Sequence, residues 1–106
     1  MKNSYGLPED DLEKIRNRDK VCVYCHKKLS RQYAIKDWPT IEHLNYLPPW
    51  NNPETVAICC WSCNSSRGNK PILKWFDSRY CVDKDINIKT VADVVKKYVL
   101  VNPDYM

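Results

Sequence analysis

The sequence predicts a small α+β domain with a modest core and flanking helices, and three observations carry that prediction. Two C-x2-C pairs, Cys22/Cys25 and Cys60/Cys63, stand 34 residues apart. The segment between them holds short apolar runs of strand length separated by strong breakers. Outside the pairs, apolar residues recur at helical spacing. At 106 residues the chain has the size of one domain, read as 1–106 with its core over about 8–80. A chain this short buries only about two thirds of its unfolded surface, so a covalent or metal staple would help it fold.

Leu7-Pro8-Glu9-Asp10-Asp11 opens a helix: proline suits the first helical position, and three acids suit the positive end of the helix dipole. Leu12 and Ile15 give its apolar stripe, with Lys14, Arg16 and Arg18 facing outward and an end near Asp19. Val21 to His26 favours a short hairpin or knuckle around the first C-x2-C. Lys27 to Lys36 is a basic connection. Trp38-Pro39-Thr40-Ile41 starts a strand that carries Glu42 and His43 at its end. Asn45 to Asn52, with Pro48-Pro49 and Asn51-Asn52, is a loop.

Val56-Ala57-Ile58 is a strand or a helix turn. Cys60 to Gly68 reads as a helix stopped by glycine. Pro71 cannot continue that helix but can open the next, in which Ile72, Phe76 and Tyr80 recur at i, i+4 and i+8 over residues 71–80. Trp75 and Phe76 are read as core. Thr90 is expected to cap a C-terminal helix at about 90–100, with Val91, Val94, Val95, Tyr98 and Val99 on its apolar face. There is no repeat, no low-complexity segment, and no glycine-rich phosphate loop, since glycine occurs only at Gly6 and Gly68.

Net charge is +4, from 17 basic and 13 acidic side chains, and it is unevenly placed. Residues 14–36 carry eight Lys/Arg against Asp19 alone, whereas residues 37–63 carry only Asp37, Glu42 and Glu54. An acidic centre between basic flanks suits a cation site that must also receive a polyanion. The competing reading is a solvated basic surface. Met1 to Tyr5 runs into an acidic stretch rather than an apolar one, and no apolar run approaches a membrane span. The expectation is therefore a cytoplasmic protein that does not enter a membrane.

In such a setting, paired C-x2-C spacing points to metal rather than to disulfides. A tetrahedral site of four thiolates, which zinc favours, is offered by Cys22, Cys25, Cys60 and Cys63. The alternative is four reduced core cysteines. Cys59 could replace Cys60 at a less usual spacing, and His26 could compete as a ligand. Cys59 and Cys81 are otherwise read as buried thiols. Glu42 and Asn64 supply hard oxygens suited to Mg²⁺ or Mn²⁺, and a neutral His43 beside such an ion could take a proton from water. Asn64 follows Cys63 directly, so a metal that fixes the cysteine fixes the amide.

Glu42-His43, followed by Cys60-Trp61-Ser62-Cys63-Asn64-Ser65-Ser66-Arg67-Gly68-Asn69-Lys70, resembles the HNH endonuclease family, with four features in the right order. The resemblance implies a zinc-stapled ββα-metal core and a metal-dependent DNA endonuclease that hydrolyses phosphodiester bonds, with RNA as the alternative substrate. It implies His43 as general base, Glu42 and Asn64 as ligands of one catalytic divalent cation, and Arg67 and Lys70 near the phosphate. A protein partner could supply sequence specificity. The family's loop-orienting asparagine corresponds by spacing to Thr55, with Asn51 and Asn52 just upstream as substitutes. Two other readings stay open: a zinc-containing nucleic-acid-binding module without catalysis, and a zinc-stapled interaction domain that uses the helix at Val91–Val99.

Overall fold

The structure is a computed structural model and describes residues 8–32, 34–44 and 53–101. Asn45 to Asn52, Leu7 and the tail from Asn102 lie outside the described residues, and so do the expectations placed on them, including Asn52 as a loop-orienting residue. Helix α1 runs Glu9–Arg18, with Glu9, Asp10 and Asp11 in its first turn. A 3₁₀ turn at Ile35–Asp37 leads into strand β1, Pro39–His43, which pairs antiparallel with β2, Val56–Cys60. The remaining helices are α2 (Trp61–Arg67), α3 (Ile72–Phe76), α4 (Arg79–Lys84) and α5 (Asp93–Val101). The α+β class with a two-stranded sheet is as expected, and Val56-Ala57-Ile58 is strand rather than helix turn.

The hairpin separates two apolar layers. Val56 and Ile58 pack with Leu12 and Ile15 of α1. Ala57 and Cys59 point the other way, into the larger cluster with Cys22, Val23, Tyr24, Leu44, Trp75, Val95 and Tyr98. Register carries this alternation across to β1, because directly paired residues share a face. Thr40 and Glu42, opposite Cys59 and Ala57, face the larger cluster, while Ile41 and His43, opposite Ile58 and Val56, face the α1 side.

Arg18 is exposed, as expected, but its guanidinium turns back onto the hairpin. Its guanidinium donates to both carboxylate oxygens of Asp19 and to the carbonyls of Pro53 and Val56, and buried Asp19 accepts the Ile58 N–H. This network ties the end of α1 to the hairpin.

The expected helix over residues 71–80 is two helices. Ser78 adopts an extended backbone and its hydroxyl accepts the Cys81 N–H, so it ends one helix and caps the next. Thr90 does not cap α5. Its hydroxyl donates to the Asp85 carbonyl and accepts the Asn87 N–H, which closes the turn after left-handed Asp85. The helix starts three residues later than Thr90, after the Ala92 N–H has bonded the Val23 carbonyl in the cysteine knuckle.

Trp75 is fully buried at the centre of the larger layer. It meets Tyr24 edge-on at 4.8 Å, stacks on Tyr80 at 6.0 Å, and donates its indole N–H to Ser66. Replacing it by alanine opens a cavity between four elements. Trp75→Ala is expected to lower unfolding stability by about 3–5 kcal/mol in urea titration, and a loss below about 1 kcal/mol would contradict its central place.

Candidate metal centre and functional site

The cysteine centre is built from two local turns. In the first, the Cys22 N–H donates to the Lys27 carbonyl and the His26 N–H to the Cys22 carbonyl, with a Val21–Lys28 bridge closing the turn. His26 takes a left-handed conformation, φ 63°, to make it. In the second, β2 runs straight into α2, and the Cys60 sulfur caps the helix by accepting the Cys63 N–H. The side chains of Cys22, Cys25, Cys60 and Cys63 converge, with all four sulfurs within 4.8 Å of one another. Cys25 and Cys60 lie 3.8 Å apart, which is the edge of a tetrahedron about a centre roughly 2.3 Å from each sulfur. The residues therefore fit a four-thiolate metal site.

The open choices among ligands are decided by position. Cys60 is in the cluster, and Cys59 lies beyond it against the Thr40 hydroxyl. The His26 ring donates Nε2–H to the Thr90 carbonyl instead of joining the sulfurs. Cys59 and Cys81 are buried thiols, as expected.

Three of the sulfurs also meet a donor. Cys22 accepts the Tyr24 N–H at 3.4 Å, Cys60 accepts the Cys63 N–H at 3.4 Å, and Cys63 accepts the Tyr80 hydroxyl at 3.2 Å. Such bonds disperse the negative charge that four thiolates concentrate. Thiols this close share protons unevenly. Bonds from the neighbouring sulfurs hold Cys25 well below the ordinary thiol value and bring Cys60 to about 7, while Cys22 and Cys63 are raised. A bound cation would remove the remaining protons.

The acid-histidine strand sits directly above this staple. Asn64 lies on α2 one residue beyond Cys63, and its amide N–H2 donates to the Thr40 hydroxyl and the Ile41 carbonyl. His43 is half-buried at the end of β1 with both ring nitrogens buried, and burial, then the charge of Arg67, lower its pKa below the ordinary value of 6.5.

Glu42 and Arg67 are placed differently from expectation. Arg67 was expected beside a substrate phosphate, but it is 1% exposed. Its guanidinium donates to the carbonyls of His43 (2.9 Å), Leu44 (2.7 Å) and Lys70 (2.9 Å). The Glu42 carboxylate is its counter-ion at 3.4 Å and accepts the Tyr24 hydroxyl at 2.8 Å. Burial raises the Glu42 pKa, and Arg67 and Tyr24 oppose that rise. Lys70 is exposed, with its ammonium donating to the Ser66 carbonyl at the C-terminal end of α2. Thr55 contributes a main-chain contact, its carbonyl accepting the Leu44 N–H.

The catalytic cation implied by the family resemblance can be tested against these contacts. An ion about 2.1 Å from the engaged Glu42 oxygen would stand within roughly 5.5 Å of the Arg67 guanidinium, with a repulsion of about 6 kcal/mol at an effective dielectric near 20. Glu42 is 3% exposed, and the strand alternation sends it to the face opposite His43. Arg67 and Tyr24 both engage one Glu42 oxygen, Oε2, and that engagement weighs against Glu42 as the acidic ligand of that ion.

Sequence reasoning passed over Tyr24 and Tyr80. Tyr24 lies inside a C-x2-C turn, which was the available signal for it, whereas Tyr80 is brought to Cys63 only by the packing of α4 and carries no local signal. No family model, curated protein or solved structure matches the chain. No helix among the described residues is long and apolar enough to cross a membrane.

Metal removal should unfold this region, because an ion held by the four cysteines would join the knuckle at Cys22–Cys25 to the start of α2. Chelation of the purified protein, or Cys63→Ser, is expected to abolish cooperative thermal unfolding seen by circular dichroism. An unchanged melting curve after verified metal loss would contradict the staple.

Proposed function

We propose that the chain is a small HNH-type DNA endonuclease with His43 as its general base. The observation that carries this reading is the strand–strand–helix unit itself. β1 ends in Glu42-His43, β2 returns into a helix that begins at the cysteine centre, and Asn64 on that helix is bonded to β1 one residue before the acid-histidine pair. The order and spacing are those of the family resemblance.

The chemistry is phosphodiester hydrolysis. The His43 imidazole accepts a proton from a water whose oxygen bonds the phosphorus, the P–O3′ bond breaks, and the departing O3′ takes a proton from solvent water, leaving a 5′ phosphate and a 3′ hydroxyl. A half-buried imidazole with a lowered pKa is neutral at pH 7, as a base must be. Lys70 and the exposed cations of α1 and the connection after the knuckle supply phosphate neutralisation, which fixes position without reading sequence.

The engagement of Glu42 and Arg67 with each other favours one other reading, a zinc-containing module that binds nucleic acid without cutting it. Nicking of supercoiled plasmid by the metal-loaded protein in Mg²⁺ or Mn²⁺ separates the two. The parent is expected to nick and His43→Ala to lose at least about 100-fold in rate with DNA binding retained. An inert parent that still binds DNA would favour the module.

The pH dependence has a fixed sign. Because the active form is neutral and its pKa is depressed, activity should hold through pH 7 and fall only on the acid side. The midpoint of the kcat/KM profile is expected below 6.5, and a midpoint above 6.5 would contradict the assignment of His43 as base.

A further inference from the structure

We propose that Glu42 is the counter-ion of a buried brace, Tyr24–Glu42–Arg67, that sets the main chain of His43, and that it is not a ligand of a catalytic cation. The inference rests on the nuclease reading for its catalytic consequence, but the brace stands on geometry alone. Arg67 is among the largest fully buried side chains described, and it reaches from α2 across the end of β1. Its guanidinium takes the carbonyls of two consecutive residues, His43 and Leu44, and that of Lys70.

Two adjacent carbonyls gripped by one planar group fix the direction in which the chain leaves β1, and with it the position of the His43 ring. A guanidinium cannot be buried without an anion, and Glu42 is the anion in contact with it. Tyr24 completes the set by donating its hydroxyl to Glu42, and the Tyr24 ring is itself held edge-on by Trp75. The acid of the acid-histidine pair thus acts through Arg67 on its own neighbour, as a positioning residue.

The test is a double-variant melting cycle on the metal-loaded full chain, joined to nicking and to nuclear magnetic resonance of the histidine rings. Glu42→Gln and Arg67→Met should each lower Tm by on the order of 10 °C or more, and the double variant should lose clearly less than the sum. Additive losses would overturn the brace. The Mn²⁺ concentration for half-maximal nicking should move by less than about twofold in Glu42→Gln while kcat falls. A rise of about tenfold or more would make Glu42 a cation ligand and overturn the proposal.

The two histidines provide an internal control. Below the melting temperature, the His43 ring signals of Glu42→Gln should shift more than those of His26, which lies two residues from Tyr24 in the cysteine knuckle and is held by the Thr90 carbonyl. Unchanged His43 signals would reduce Glu42 to a merely structural group and overturn the positioning role. Tyr24→Phe, which removes one hydroxyl, should produce the same His43 shift with a smaller loss of Tm if glutamine at position 42 prevents folding. A parent that fails to nick would end the nuclease reading, and the melting cycle and the ring signals would still decide the brace.

Discussion

Four sulfurs within 4.8 Å of one another are the constraint on which this molecule depends. The chain is short, its sheet has two strands, and α2, α3 and α4 are each under eight residues. Helices of that length have little stability of their own. What orients them is that Cys60 ends β2, caps α2 and joins the cluster in one residue. The cluster thereby links the knuckle at Cys22–Cys25 to the hairpin and to the helix that carries Asn64 and Arg67. The C-terminal helix is attached to the same knuckle, through the Ala92–Val23 and His26–Thr90 bonds.

A second, costlier element is built on that frame. Burying a guanidinium and a carboxylate is stabilising only when their remaining hydrogen-bonding capacity is filled, and loss of either partner typically costs about 3–5 kcal/mol. Here Arg67 meets three carbonyls and Glu42 meets a tyrosine hydroxyl. Such a network contributes less to net stability than to a single chain path at the end of β1. That path matters because His43 lies on it, and the function proposed above casts His43 as the general base.

The parts legible in the sequence were the ones written locally. C-x2-C spacing forces two sulfurs together whatever the surroundings, so each half of the four-cysteine cluster could be read directly. The strand ending in Glu42-His43 and the helix after Cys60 were equally local. The period-2 alternation of β1 was also available, and it sends Glu42 and His43 to opposite faces. It did not reveal that a buried arginine, 25 positions further on, waits on the inward face. Arg67 stands between serines and a glycine in a basic stretch, the pattern of a surface cation, and only the packing of α2 across β1 buries it. The helix break at Ser78 was hidden by an i, i+4, i+8 pattern that two helices happen to share. Thr90 looked like a cap because its use in the turn after Asp85 depends on Asn87 and on the left-handed Asp85.

The most direct measurement of the central claim is X-ray absorption at the zinc edge of the purified, zinc-loaded protein, with metal content determined on the same sample. The account predicts one zinc per chain and a first shell of four sulfurs at about 2.3 Å. A shell containing nitrogen or oxygen, or a folded protein with well under one metal per chain, would contradict it.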